Sequence, residues 1–409
     1  MAANPKQLVV FAPLALFGAC GDAGQGGATG ARGTLEGPDV MLDPLTEEVF
    51  TVGSVVGDAW DTFGSVSSVA FDREGNLHIF DSQAEHILVV GRDGSLLRTV
   101  GGQGEGPGEF SNASSAIVAR DGSYTVLGFS QVDLFDPGGT FVRRVQMDAI
   151  LFSGMALPDG RLVASSFVSM DPSSRAASSP EEEGRPIHLI PLDGTEPEIL
   201  YTAWILPEDT DDDAFDVDES RTIRMSAGRA FEPGLYYDVL TDGRLALADS
   251  IGYRVKLIGL DGSVTGVVER PIAPLAVDEA IMEAERERYR EATAQLQNLQ
   301  SSFQVEREGV EELDFADEVP VIGDVEVDWE DRIWVTRRGA DGNRDGGPTD
   351  IVTPDGRYIG TLAADGLQTP AAFGPDGLLA YIERDELDVP TVRVIRLVSV
   401  ELEGVELKG

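Results

Sequence analysis

The chain has 409 residues, 72 acidic against 31 basic side chains, a formal net charge of −41 and a single cysteine. One cysteine excludes an internal disulfide, an iron–sulfur cluster and a cysteine-based zinc site. So acidic a chain lacks the basic footprint that nucleic acid demands, and 42% hydrophobic residues exclude general disorder.

Residues 8–19 (LVVFAPLALFGA) form a short apolar run after Lys6. It is too short for a bilayer-spanning helix, which needs about 20 residues, and fits a secretory signal at 1–19. The Gly-rich stretch that follows predicts a flexible tether over residues 20–45.

From there one unit recurs. It is an alternating apolar segment, a Gly turn, a second strand, a loop, a third strand, an Asp-Gly turn and a fourth strand. The clearest copies are 67–101 and 236–268. The first turn of each unit reads REGN at Gly75, RDGS at Gly122, PDGR at Gly160, TDGR at Gly243, WEDR at Asp331 and PDGL at Gly377. Glycine supplies the positive φ that such tight turns require, and β-forming residues follow each turn. Six four-stranded units in series predict an all-β, six-bladed β-propeller of antiparallel blades over residues 46–400, followed by a tail at 401–409. The ring should close by pairing 47–53 with 391–397, which removes two exposed edges.

Three long interruptions fall at 166–186, 202–233 and 269–321. All lie in second-to-third-strand loops or between blades, whereas the first-to-second and third-to-fourth turns are short. One face of the disc is therefore trimmed and the other elaborated, and binding is expected on the elaborated face. Residues 277–303 predict a helical insertion, about 275–305, between blades 4 and 5. Asp278 is its N-cap, and Tyr289, Ala292, Leu296, Leu299 and Phe303 form its apolar stripe. That stripe suits either a lid on the propeller or a partner-binding helix.

Two resemblances add to this pattern. Phe17-Gly18-Ala19-Cys20 resembles a bacterial lipobox, which implies a lipoprotein signal, lipidation of Cys20 and attachment to the cell envelope. The segment GGQGEGPGEF (101–110) and the Asp-Ser pairs at Asp81-Ser82 and Asp249-Ser250 resemble NHL-repeat connections. They imply a propeller of the NHL or TolB-like kind.

Chemistry is less legible. DGNRDGGPTD (341–350) places Asp341, Asn343 and Asp345 at alternate positions before Gly346, with Asp350 as a further oxygen donor. This spacing suits Ca²⁺, and suits equally a polar hairpin loop. Residues 208–219 carry eight acids in twelve, which suits cations, a basic partner or plain solvation. His78, His86 and His188 fit no metal spacing. Glu109, Phe110, Asp249, Arg254, Arg337 and Arg338 are candidates for the elaborated binding face. The expectation is a monomeric, non-enzymatic propeller on the envelope that binds a protein, peptide or small ligand, does not bind nucleic acid, and meets membrane only through its anchor. The alternatives are a metal-dependent propeller hydrolase or lyase, lactonase/esterase-like or amidating-lyase-like, and a scaffold subunit of an envelope assembly.

Overall fold

The computed structural model describes residues 35–54, 60–110, 113–128, 131–147, 149–151, 153–165, 167–169, 184–204, 215–217, 222–226, 229–299, 304–308, 313–385 and 389–402. Cys20 and the 1–19 segment lie outside them, as does most of the acidic 208–219 run.

Six four-stranded antiparallel sheets form the ring. Blade 1 is Val66–Phe71, Leu77–Asp81, His86–Val90 and Leu96–Gly101; blade 2 is Ser115–Val118, Tyr124–Leu127, Gln131–Phe135 and Phe141–Gln146. Blade 3 is Met155–Ala156, Leu162–Ala164, Arg185–Ile190 and Glu198–Ala203; blade 4 is Tyr236–Val239, Leu245–Ala248, Arg254–Ile258 and Val264–Glu269. Blade 5 is Ile322–Val327, Ile333–Arg337, Thr349–Val352 and Tyr358–Leu362. Blade 6 takes Ala372–Phe373, Leu378–Arg384 and Pro390–Leu402 from the end of the chain, and Leu42–Val52 from its beginning.

Ring closure follows the expected register, with Glu47 opposite Arg396, Thr51 opposite Arg393 and Val52 opposite Val392. The chain joins the ring earlier than its composition suggests. The closing strand begins at Leu42, and residues 35–41 already rest on blade 5, where Thr361 N–H donates to the Val40 carbonyl at 2.8 Å. The physical reason is Asp39, whose carboxylate takes Arg270 at 3.0 Å and Arg337 at 2.6 Å. Burial opposes its charge, but the two guanidiniums outweigh that cost and hold the carboxyl below its usual range.

The core is a set of apolar layers between successive blades. The layer between blades 4 and 5 contains Ala246, Val255, Leu257, Val325, Val327, Ile333 and Val335. The layer between blades 6 and 1 contains Val52, Phe71, Leu77, Ile79, Ala380 and Val392. The second strands of blades 1 and 4 are buried along their length because neighbouring blades cover both faces, so they read as continuous apolar runs.

The recurrent polar residues are structural. Asp81 is 1% exposed and accepts the backbone N–H groups of Gly64 (2.7 Å), Ser65 (3.0 Å), Gln83 (3.1 Å) and Ala84 (3.1 Å). Asp249, its counterpart in blade 4, is fully buried, accepts Trp204 N–H at 2.9 Å and pairs with Lys256 at 2.8 Å. In both blades the aspartate ties the incoming connection to the blade it enters.

In the WEDR turn, Asp331 stands where the five other first turns have glycine, with φ 59°. Its carboxylate accepts Thr241 N–H of blade 4 at 2.7 Å and the Thr241 hydroxyl, so the unfavourable backbone is offset by an inter-blade contact.

The helix spans Glu279–Leu299, capped as expected by Asp278, whose Oδ1 accepts the N–H groups of Ala280 and Ile281, each at 3.0 Å. Its docked face differs from the predicted stripe. Ile281 and Tyr289 pack with Phe231, Leu313, Phe315 and Val319, whereas Ala292 is exposed and Phe303 lies outside the described residues.

Candidate functional site in the central channel

The six first turns provide a common level around the ring. In each, the residue opening the turn donates its N–H to the carbonyl four residues on: Asp72, Ala119, Leu157, Leu240, Asp328 and Gly374. Two residues earlier on each innermost strand stand Ala70, Ile117, Met155, Asp238, Glu326 and Ala372. Four of the six blades thus present a small or apolar residue: among these six positions the ionisable side chains are Asp238 and Glu326, on neighbouring blades 4 and 5.

The two carboxyls stand on neighbouring innermost strands, and the charge of Asp238 opposes ionisation of Glu326. Asp238 Oδ2 also accepts Val327 N–H at 2.7 Å, capping the free edge of the innermost strand of blade 5. Its Oδ1 accepts Val239 N–H at 2.7 Å. Both residues keep intermediate exposure, yet protein surrounds them closely. Burial pushes the Asp238 carboxyl up to about 6, and burial together with the Asp238 charge pushes Glu326 well above the usual carboxylate range.

Beneath the pair a side-chain contact crosses the channel on the trimmed side. Arg120 belongs to blade 2 and Trp329 to blade 5, on opposite sides of a six-membered ring, so a contact between them must cross its middle. The Arg120 guanidinium lies 4.6 Å from the Trp329 ring centroid and donates to the Asp328 carbonyl at 3.5 Å. Trp329 Nε1 donates to the Phe373 carbonyl of blade 6 at 2.7 Å. Burial lowers the pKa of Arg120, while Asp331, Asp238 and Asp328 favour its charge.

On the elaborated side the 341–350 loop supplies the wall. Arg344 is half exposed, donates to Asp324 at 3.0 Å and to the Gly323 carbonyl at 3.0 Å, and stacks 4.9 Å from the Tyr236 ring centroid. Arg338 donates to the Tyr236 hydroxyl at 3.2 Å. The loop is braced by the helix, since Arg288 reaches Asp341 Oδ2 at 3.1 Å and its carbonyl at 2.9 Å.

The four residues of the calcium reading do not converge in this structure. Asp350 is fully buried inside blade 5, where Arg270 pairs with it at 2.8 Å and the Thr361 hydroxyl donates at 2.5 Å. Asp341 is engaged by Arg288, and Asp345 lies outside at 3.7 Å from Arg344. Asn343 serves the turn, its carbonyl accepting Gly339 N–H at 2.8 Å. The spacing is that of a hairpin loop whose last aspartate points into the blade. Among the described residues no group of three or more His, Cys, Asp or Glu side chains could hold a metal ion.

The candidate binding-face residues divide similarly. Phe110 is 1% exposed and packs edge-on against Phe80 and Phe135, so it is core. Glu109 folds back on the glycine loop, accepting Gly106 N–H at 2.9 Å. Asp249 is the buried tie described above. Arg254 forms an exposed pair with Glu269 at 2.7 Å. Arg337 turns to Asp39 and Asp350, and only Arg338 reaches the channel wall.

No family model matches the chain, and no curated protein matches it in sequence. Its fold is similar to that of a DUF4221-family member from Bacteroides vulgatus, with a TM-score of 0.52 and 10% identity over 89% of this chain and 100% of that one. A candidate exported protein of Bacteroides fragilis aligns over 88% of this chain and 96% of that one, with 12% identity and a TM-score of 0.45. A gluconolactonase from Xanthomonas campestris aligns over 90% and 100%, with 12% identity and a TM-score of 0.36. At these identities the likeness concerns the fold, and the site must be argued from its own residues.

Proposed function

We propose that the chain is an exported ligand-binding propeller, held at a bacterial envelope through Cys20, that admits a small donor-rich ligand to its channel from the elaborated face. The observation that carries this reading is the Asp238–Glu326 pair. Two carboxyls kept together at the level where the other blades present Ala70, Ile117, Met155 and Ala372 cost stability unless something uses them. Arg120 on Trp329 closes the far end, so access falls to the side walled by Tyr236, Asp324 and Arg344. A ligand bearing amines or several hydroxyls offers the donors that the carboxyls lack.

A second reading, a propeller hydrolase or lyase, draws on the same pair, because neighbouring carboxyls with raised pKa are what general acid–base chemistry uses. Its metal-dependent form lacks a ligand set among the described residues.

Calorimetric titration with spermidine, glucosamine and glucose tests the binding reading. The expected result is saturable binding of at least one amine, weakened tenfold or more in Glu326→Gln and Arg344→Ala. Failure of all three probes to bind, or binding that both variants leave unchanged, refutes it. Intact-mass analysis of the membrane fraction tests the anchor, and an unmodified mature N-terminus refutes that part.

A further inference from the structure

Before entering blade 6 the chain lays residues 35–41 along blade 5 as a strap. Gly360 marks its closest approach: a Cβ there would lie 2.5 Å from the Leu42 side chain and 2.8 Å from the Val40 carbonyl. Val40 N–H donates to the Tyr358 hydroxyl at 3.1 Å, and Leu35 packs against the layer between blades 4 and 5. From this strap Asp39 reaches inward to Arg270 at 3.0 Å and Arg337 at 2.6 Å. The two arginines stand at the roots of the elements that wall the channel mouth. Arg270 follows the last strand of blade 4 and opens the 269–321 insertion, whose helix braces the 341–350 loop through Arg288. Arg337 ends the second strand of blade 5, immediately before Arg338 and that loop. We propose that the strap is a clamp on the channel mouth, and that Asp39 is the positioning residue that holds the roots of both wall elements.

Asp39 has this control because Arg337 depends on it. The Arg337 side chain is 11% exposed, lies 2.6 Å from Asp39 but 3.5 Å from Asp350, and its Nε has no hydrogen-bond partner. Asp350 is already held by Arg270 at 2.8 Å and by the Thr361 hydroxyl at 2.5 Å. In this cluster Asp39 and Asp350 balance Arg270 and Arg337, so without Asp39 one positive charge is left over in a mostly buried place. Arg270 is the more firmly fixed of the two, since the Leu35 and Gly37 carbonyls take it at 3.4 and 3.2 Å and Asp350 holds its other side. The Arg337 guanidinium must therefore move, either towards Asp350 or out to water, and it carries the next residue with it. Arg338 joins the wall twice, donating to the Tyr236 hydroxyl at 3.2 Å and to the Gly342 carbonyl at 3.2 Å. The effect belongs to the sector of blades 4 and 5, and blade 2 stands across the ring from it. The clamp itself needs neither the Cys20 anchor nor a ligand. Where the proposed function holds, it ties the chain upstream of Leu35 to the mouth through which the ligand enters.

Amide hydrogen exchange of the full chain, read by mass spectrometry, tests the clamp. In the unaltered protein, peptides covering 37–42 and 338–347 should lose protection together along a series of low urea concentrations, within twofold of one another and before a peptide covering 124–135 of blade 2. Asp39→Asn keeps the shape and removes the charge. It should raise exchange at 338–347 at least fivefold and leave 124–135 within twofold of the parent. Asp39→Glu, which retains the carboxylate, should keep exchange at 338–347 within twofold of the parent. A strap that merely adds stability would instead move all three peptides alike in Asp39→Asn, and that result overturns the proposal. So does a loop as exposed in Asp39→Glu as in Asp39→Asn. Strap and loop that open separately in the unaltered protein also overturn it, and that comparison decides the matter even if neither variant folds.

Discussion

Arg270 is the residue whose removal best tests the account of residues 341–350. Its side chain is 2% exposed, pairs with Asp350 at 2.8 Å and Asp39 at 3.0 Å, and lies 4.4 Å from the Tyr358 ring centroid. Arg270→Met keeps much of the volume and removes the charge. Asp350, itself fully buried, then keeps only the Thr361 hydroxyl at 2.5 Å and a distant Arg337 at 3.5 Å. Breaking one side of a buried pair costs about 3–5 kcal/mol, because the remaining charge has no water to return to. For a chain of this size that lowers the thermal midpoint by roughly 4–6 °C. Adding Asp350→Asn to Arg270→Met should recover at least half of the loss, since no buried charge is then stranded. Asp39→Asn should cost less, about 1 kcal/mol, because Asp39 keeps contact with solvent. Urea midpoints and thermal scans at pH 7 measure all three. A loss below about 1 kcal/mol for Arg270→Met, or a double variant no better than the single, would falsify the view that Asp350 is a buried ion-pair partner.

The carboxyl pair gives a pH dependence of defined sign. The unfolded chain releases the Asp238 proton near 3.8 and the folded chain near 6, so the folded state binds more protons between these values and stability falls as pH rises through them. At about 1.36 kcal/mol per unit the Asp238 contribution is about 3 kcal/mol, and Asp238→Asn should flatten the difference curve in urea unfolding at pH 4 to 8. A parallel offset between variant and parent at every pH would count against it. Asp81→Ala strands four backbone N–H groups in a buried connection and should cost about 2–4 kcal/mol, whereas Asp93→Ala, in an exposed turn, should leave the urea midpoint nearly where it is. Calcium at fixed ionic strength should move the thermal midpoint no more than magnesium does; a larger shift would show that residues 341–350 bind it after all.

The fold was legible because its signals are local and repeated. A tight turn needs positive φ at one position, so Gly75, Gly122, Gly160 and Gly243 mark successive blades, and Asp331 still marks blade 5 by its spacing. The pairing of the first and last strands followed from counting edges. The start of the ring was misplaced because residues 35–41 carry the composition of a tether, and what fixes them is Asp39 meeting two arginines more than 200 positions away. The same limit explains the calcium loop. Alternate Asp and Asn residues look alike whether they converge on an ion or face opposite sides of a strand, and Asp350 lies within the strand Thr349–Val352.

The channel pair was missed for a different reason, and a signal for it does exist. Asp238 sits in YYDVL and Glu326 in VEVD, each a single acid within an apolar strand, and neither carries weight alone. Once the six turns are superposed, the same position reads Ala, Ile, Met, Asp, Glu and Ala, and two adjacent acids stand out against four apolar or small residues. Arg120 follows from the same alignment, being the turn residue equivalent to Trp329 on the opposite blade. A repeat therefore identifies its own exceptions: positions that every blade shares explain the scaffold, and the position that only neighbouring blades 4 and 5 break, with two adjacent carboxyls, is where this propeller departs from what folding alone requires.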